Sequence, residues 1–296
     1  MIKLYRIEKT QSILLRLPDM SSLDAITRQL PNGYYSTFRT YDGCTRVLGL
    51  SLHLRRLYDP VTKPDVDASI LRRQLVTLLQ PIRPGEARVR VMMTKQGQVY
   101  VAIEPLIPLP SEVYENGVRV ETTEIQRISP HLKSTAFISA SDSERKHIAQ
   151  EGIFEALLVK NGRILEGMTS NFFYVLRPER SEAQTKGASS SFVAGDAPHS
   201  AQRKILFTAQ RDVLLGVTRK NVIHLARGRG LEVKCQALKL NQLSDVKEAF
   251  ITSSSRGVVP VIQIDRVRVG RGRPGAVTRM LISAYDEYVL ENAEKI

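Results

Sequence analysis

The stretch Asn161-Gly162-Arg163-Ile164-Leu165-Glu166-Gly167-Met168-Thr169-Ser170-Asn171-Phe172-Phe173 decides how the chain is read. Asn-Gly between apolar runs signals a tight hairpin, since both residues tolerate the positive φ such a turn requires. The reading is a turn, a strand ending in the carboxylate Glu166, then glycine and small polar residues. Upstream, Lys133 sits in Ile128-Ser129-Pro130-His131-Leu132-Lys133-Ser134-Thr135, after a proline-marked turn and before an irregular segment. A lysine so placed can be held inside a cleft.

Downstream, Leu214-Leu215-Gly216-Val217-Thr218-Arg219 is expected to join an apolar strand to a helix through glycine, offering free backbone N–H groups and a hydroxyl to an anion. Thr252-Ser253-Ser254-Ser255-Arg256-Gly257 follows another apolar strand in the same way. Two donor-rich turns, a cleft lysine and a strand-end carboxylate are the parts that a phosphorylated aldehyde cofactor needs.

Around these motifs the hydrophobic period alternates between 2 and 3.6 residues, which predicts a mixed α/β fold. Strands are expected at Ile13–Leu17 and Val47–Leu50, a short helix from Leu52 to Leu57, and a helix from Asp67 to Leu79. Ala87–Met93 and Val99–Ile103 flank Lys95-Gln96-Gly97-Gln98 as a hairpin. Pro105-Leu106-Ile107-Pro108-Leu109-Pro110 breaks the pattern, because proline cannot donate to a sheet, and suggests a division into residues 1–110 and 111–296. The second part opens with a strand at Gly117–Thr123. It closes with strands at Glu248–Thr252 and Val258–Ile264 and with helices at Arg219–Gly228 and Val277–Ala293. Residues 177–204, rich in Ser, Ala, Gly and charge, are expected to be a flexible surface insertion.

The chain has 296 residues, 42% hydrophobic and 25% charged, which is a globular composition of one or two domains. No apolar run reaches the length of a membrane span, and the N-terminus lacks signal-peptide order, so a cytoplasmic protein is expected. Cys44 and Cys235 are far apart and outside any metal-ligand spacing, and are read as two reduced thiols. Lys and Arg outnumber Asp and Glu by 43 to 30, for a net charge of +13. The basic residues are dispersed and have no aromatic interleaving, which favours small anionic ligands over nucleic acid.

In order, these blocks resemble the class IV aminotransferases, the fold-type-IV enzymes that use pyridoxal 5′-phosphate. That family includes branched-chain and D-amino acid aminotransferases and 4-amino-4-deoxychorismate lyases. The matching blocks are Gly33–Arg39, His53–Leu57, Lys133 with Glu155–Leu158, Glu166–Phe172, and Gly216–Arg219 with Phe250–Val261. The resemblance implies a small N-terminal and a larger C-terminal domain with the cofactor between them, and a homodimer.

Position by position, it implies that Lys133 forms the Schiff base and moves the proton between Cα and the cofactor. Glu166 would face the pyridine nitrogen. Arg56 would bind the phosphate with Val217, Thr218, Ser253 and Ser254, Asn171 would hold the ring edge, and Leu214 would pack on the ring or simply in the core. Substrate contacts would come from Tyr35, Arg39, Arg90, Lys95, Ser255 and Arg256. Lys95 replaces the arginine of D-amino acid aminotransferases and lyases, a point charge in place of a fork. Arg88 and Arg90 share one strand face, toward pocket or solvent. Ser36-Thr37 is similar to the Thr-Thr of the lyases, and Leu23–Asn32 lacks the usual Phe-Gly-Asp-Gly entry. The activity implied is transamination between a small amino acid and a 2-keto acid; the alternative is release of pyruvate from aminodeoxychorismate. A non-catalytic basic binding protein on the same scaffold is the third reading.

Overall fold

The computed structural model describes residues 1–177 and 204–296. The insertion expected at 177–204 lies, apart from its two end residues, outside the described residues. Strands β1 (Lys3–Ile7) and β2 (Ser12–Leu15), helix α1 (Leu23–Gln29), strands β3 (Gly33–Arg39) and β4 (Arg46–Val47), helices α2 (Leu50–Tyr58) and α3 (Ala68–Leu79), and strands β5 (Ala87–Thr94) and β6 (Val99–Pro105) come first. Five of the strands form an antiparallel sheet in the order β2-β1-β6-β5-β3.

Alternation on β5 sends Val89, Val91 and Met93 toward α2 and α3, while Met92 packs with Leu23 and Ile26 of α1 on the other face. Helix α3 forms because Asp67 caps it, accepting from the N–H groups of Ser69 and Ile70, and because Leu71, Leu75 and Leu79 recur on one stripe. All three leucines are fully buried, each stabilising the fold by about 1.5–3 kcal/mol.

The strand expected at Val47–Leu50 is corrected: it stops at Val47 and α2 begins at Leu50. Gly49 between them has φ +68°, which turns the chain sharply, and a Cβ there would meet Val217 Cγ1 at 2.7 Å.

Then come helix α4 (Ser111–Asn116), strand β7 (Val118–Thr123), helices α5 (Ala136–Ala140) and α6 (Asp142–Gln150), and strands β8 (Glu155–Lys160), β9 (Arg163–Gly167), β10 (Asn171–Leu176) and β11 (Ile205–Thr208). Helix α7 (Val217–Gly228), strands β12 (Glu232–Cys235), β13 (Leu238–Lys239), β14 (Val246–Ser253), β15 (Gly257–Ile264) and β16 (Val267–Arg268), helix α8 (Ala276–Asn292) and strand β17 (Glu294–Lys295) complete the chain.

The second sheet runs β12-β11-β10-β14-β15-β7-β8-β9-β13, and β9 also pairs with β10. That extra pairing, at Asn171 opposite Glu166, closes six strands into a ring around a core that includes Phe172, Tyr174 and Ile251. The β8–β9 hairpin turns at Asn161 and Gly162, with φ of 51° and 67°, as the Asn-Gly signal requires. Helices α7 and α8 pack on the outside against Phe173, Val258 and Phe250.

Three further readings of the sequence are corrected. The segment after Lys133 is two helices, α5 and α6. Leu214 and Leu215 are not in a strand, because the Leu214 N–H and C=O bond the side chains of Glu166 and Asn171 instead of a ladder partner. The N-terminal stretch holds β1 and α1, neither of which was expected.

Candidate active site

Where the two sheets meet, a cavity of about 240 Å³ is lined by residues of β3, α2, β5, β9, β10, α7 and the β14–β15 turn. Lys133 is brought there by backbone pairing with β3: Tyr35 N–H donates to the Lys133 C=O (2.9 Å) and Thr135 N–H to the Gly33 C=O (2.9 Å). The Lys133 amine stands 4.8 Å from the centroid of the Tyr35 ring. Lys133 keeps some accessible area because it lines the cavity, yet it is enclosed by protein. Desolvation, reinforced by the nearby Arg56, Arg127 and Arg90 guanidiniums, pushes its pKa well below the usual lysine range.

Glu166, 1% exposed, accepts from Arg127 Nε (2.9 Å), Asn171 Nδ2 (3.2 Å) and the Leu214 N–H (3.0 Å). Three donors leave acceptor capacity on its Oε1. Burial pushes its pKa up to about 7, opposed by Arg127, the Leu214 N–H and Lys133. Asn171 also donates to the Leu214 C=O at 2.7 Å, so it ties the ring closure to the segment entering α7.

The opposite end of the cavity is rich in donors. Helix α7 starts after Gly216 without a side-chain cap, so the N–H groups of its first turn are open, and Thr218 Oγ1 lies 3.3 Å from Ser254 Oγ. Arg56 comes from α2. Its Nη2 donates to Ser36 Oγ (2.9 Å), and Ser36 Oγ lies 2.9 Å from His53 Nδ1. Burial first, then Arg56 and Lys133, push the His53 pKa well below its usual value. A neutral ring that takes the Ser36 proton at Nδ1 carries its own proton on Nε2, and that atom is buried without a partner among the described residues. Burial also lowers the Arg56 pKa to about 10.

On the remaining wall, Arg90 is 8% exposed and lies 4.8 Å from the Tyr35 ring centroid. It donates to Thr37 Oγ1 (3.1 Å), Thr27 Oγ1 (2.9 Å) and Asp24 Oδ1 (2.6 Å). Arg88, whose face the sequence left open, lines the cavity with Arg90 and pairs with Glu104. Arg256 lines it too, but its Nη2 donates to Glu155 Oε2 (2.9 Å) and Thr169 Oγ1 (2.6 Å).

The cavity brings together Tyr35, Arg56, Arg90, Lys133, Glu166, Asn171, Leu214, Val217, Thr218, Ser253, Ser254, Ser255 and Arg256. It does not take in Arg39 or Lys95. The Arg39 guanidinium lies over the Tyr41 ring at 4.7 Å, and Lys95 is exposed in the β5–β6 turn. Sequence reasoning missed Asp24, Arg127 and Arg145. The Ser22 cap, which accepts from the Ala25 N–H, signals the helix bearing Asp24; no local pattern marks Arg127.

A closed ring of strands beside a smaller antiparallel sheet, with an enclosed lysine and a buried carboxylate at their junction, is the fold-type-IV architecture of pyridoxal-phosphate enzymes. The chain belongs to the amino-transferase class IV family, whose family model matches residues 33–264. It is 25% identical over 287 residues to a D-alanine aminotransferase of Bacillus licheniformis, covering 90% of this chain and 91% of that one. It is 24% identical over 304 residues to an aminodeoxychorismate lyase of Bacillus subtilis, covering 91% and 92%. A hypothetical aminotransferase of Mycobacterium tuberculosis, solved in a PLP-bound form, shares the fold with a TM-score of 0.70 at 17% identity, covering 98% of this chain and 99% of that one.

Proposed function

We propose that this chain is a pyridoxal 5′-phosphate-dependent transaminase that moves an amino group between a small amino acid and a 2-keto acid. The observation that carries the reading is the enclosed Lys133 amine, its pKa pushed far down, opening on the same cavity as Glu166. The residues present fit the cofactor. Arg56 Nε, Arg127 Nη1, Ser170 Oγ and Thr252 Oγ1 are buried polar atoms without partners among the described residues, and all four belong to residues lining this cavity. Each such atom costs about 1–3 kcal/mol unless a ligand satisfies it.

Arg56, the open N–H groups of Val217 and Thr218, and the hydroxyls of Thr218, Ser253 and Ser254 would hold the phosphate. Glu166, steadied by Arg127 and Asn171, would face the ring nitrogen, and Leu214 would pack on the ring. Bound there, the cofactor supplies an electron sink for the bond broken at the substrate Cα. Lys133, an amine whose charged form is disfavoured by burial and by the Arg56, Arg127 and Arg90 guanidiniums, would serve as the nucleophile toward the cofactor aldehyde and as the base and acid that moves the Cα proton. Tyr35, Arg90, Ser255 and Arg256 form the substrate side, with Arg256 acting through its bonds to Glu155 and Thr169. The same proposal includes the division near residue 110, with the ligand between the two parts, and a homodimer.

Ser36 faces Arg56 and His53 and does not line the cavity, which fits support of the phosphate site, whereas Thr37, the second residue of the lyase-like pair, does line it. No helix among the described residues is long and apolar enough to cross a membrane.

The test is the absorption spectrum of the protein loaded with pyridoxal phosphate, before and after a panel of L- and D-amino acids. Conversion to the pyridoxamine form with particular amino acids supports transamination. An unchanged spectrum with every amino acid, together with pyruvate release from aminodeoxychorismate, would replace it with the lyase. Lys133→Ala is expected to lose the absorption that depends on the covalent bond between the lysine and the cofactor, while the protein keeps its far-ultraviolet circular dichroism.

A further inference from the structure

Asp24 stands on α1, on the wall of the cavity that faces Tyr35, and it is shared. Arg90 Nη1 donates to its Oδ1 at 2.6 Å and Arg145 Nη1, from α6, to its Oδ2 at 3.1 Å. The three side chains are 26%, 10% and 18% exposed for Asp24, Arg90 and Arg145, so this is a partly desolvated triad inside a pocket. Its other donors are committed: Arg90 Nε goes to Thr37, and Arg145 Nε to Ser141 Oγ at 3.0 Å. Each arginine keeps one terminal nitrogen, Nη2, without a protein partner among the described residues.

Two guanidinium charges against one carboxylate leave a surplus of one positive charge. Arg88 and Arg256, also on the cavity wall, add none, because Glu104 and Glu155 neutralise them. The Arg90 guanidinium and the Lys133 amine each stand 4.8 Å from the same Tyr35 centroid, so the surplus charge lies within reach of a substrate whose amino group is at Lys133.

We infer that Asp24 sets substrate charge. It occupies half of the Arg90–Arg145 pair, leaving charge and donors for the α-carboxylate alone, and so selects amino acids with uncharged side chains over dicarboxylic ones. Burial pushes the Asp24 carboxyl up, but Arg90 and Arg145 together outweigh it and hold it below its ordinary range, so the charge is in place at neutral pH. A second substrate carboxylate would enter without a counter-charge, beside Asp24, where like charges in a low-dielectric cleft repel.

The inference rests on the proposed transaminase reading, and the test separates the two. Cofactor loading is first read by absorbance. The loaded protein, and the cofactor-free protein in parallel, are then titrated calorimetrically with 4-methylpentanoate, an unreactive monocarboxylate, and glutarate, an unreactive dicarboxylate. Wild type is expected to bind 4-methylpentanoate more tightly. Asp24→Asn should tighten glutarate about tenfold while changing 4-methylpentanoate less than about threefold, the size of one charge-assisted hydrogen bond gained. Arg145→Gln should weaken both, since the remaining Arg90 charge is then cancelled by Asp24.

With amino donors, Asp24→Asn should lower KM for glutamate about tenfold relative to KM for a donor with an uncharged side chain, a split between substrates that a merely structural role would not produce. A wild type that prefers glutarate, or an Asp24→Asn variant that weakens both ligands equally, overturns the inference. Failure to load cofactor overturns the transaminase reading, and the cofactor-free titration still decides the role of Asp24.

Discussion

Arg127 and Glu166 form an ion pair inside the protein, Nε to Oε1 2.9 Å, with side chains 4% and 2% exposed. The guanidinium also lies over the Phe137 ring at 3.9 Å and donates to the Met168 C=O, so it is fixed on three sides. Glu166 is thereby aimed by a partner from the segment between β7 and α5.

Removing that partner leaves a buried carboxylate with two neutral donors. Arg127→Met should cost about 3–5 kcal/mol of stability at pH 8, the usual loss when one half of a buried pair is deleted. Arg127→Met combined with Glu166→Gln should recover part of it. Urea denaturation of the single and double variants measures this, and equal losses in both would mean that the stranded Glu166 charge is not the cause of the loss.

Glu166 also makes stability depend on pH. Burial raises its folded pKa from about 4.5 to about 7, so the folded state binds the proton more tightly than the unfolded one. Its contribution is present in full below about pH 4.5 and is lost as pH rises through about 7. The stability difference between cofactor-free wild type and Glu166→Gln should therefore decline across that window, by at most about 1.4 kcal/mol per pH unit. Parallel curves would contradict the raised pKa.

Ser36 anchors Arg56. Ser36→Ala should weaken pyridoxal phosphate about tenfold through loss of a hydrogen bond to a charged group, and leave pyridoxal, which lacks the phosphate, unaffected. Fluorescence titration with both compounds distinguishes support of the phosphate site from general loosening, which would weaken the two alike.

Gly216 is held against Asn171. A Cβ on Gly216 would lie 2.3 Å from Asn171 Oδ1, and Asn171 bridges Glu166 and the Leu214 C=O. Gly216→Ala should cost about 1–3 kcal/mol, as overpacking of a close contact does. Adding Asn171→Ser should return part of the lost Tm. A Gly216→Ala protein as stable as wild type would show that Asn171 shifts freely.

The parts of this fold that were legible in the sequence are those with a strong period or a turn that demands particular residues. The α3 leucine stripe, the β5–β6 hairpin, the Asn161-Gly162 turn and the apolar runs of β14 and β15 are of this kind. Of α1 only the Ser22 cap is legible, and α5 and α6 carry no such cap. They are short, and Ile138 of α5 is buried among residues distant in sequence, Leu4, Leu23 and Ile26. For the same reason Asp24 and Arg145 escaped notice: 121 positions apart, they meet only through tertiary packing. Lys133 and Glu166 stand out from their local motifs, while Arg56, Arg39 and Lys95 rest on the family resemblance, and a matching strand position does not fix where a long side chain ends: Arg56 lines the cavity, Arg39 and Lys95 do not.

The walls of the cavity come from different parts of the chain. Asp24, Tyr35, Thr37 and Arg90 belong to the small sheet and its covering helix, whereas Glu166, Asn171, Val217, Thr218 and Ser253 to Arg256 belong to the ring of strands and α7, with Arg56 and Lys133 bridging the two. If the proposed roles hold, substrate preference can be rewritten by selection, or by a protein engineer, through the cavity-facing side chains of α1 and β5 and through Tyr35 and Thr37 of β3, while Ser36 and the rest of the proposed coenzyme seat stay as they are. Libraries confined to those cavity-facing positions, with Ser36 kept, should yield far more folded, coenzyme-binding clones than libraries spread around the whole cavity.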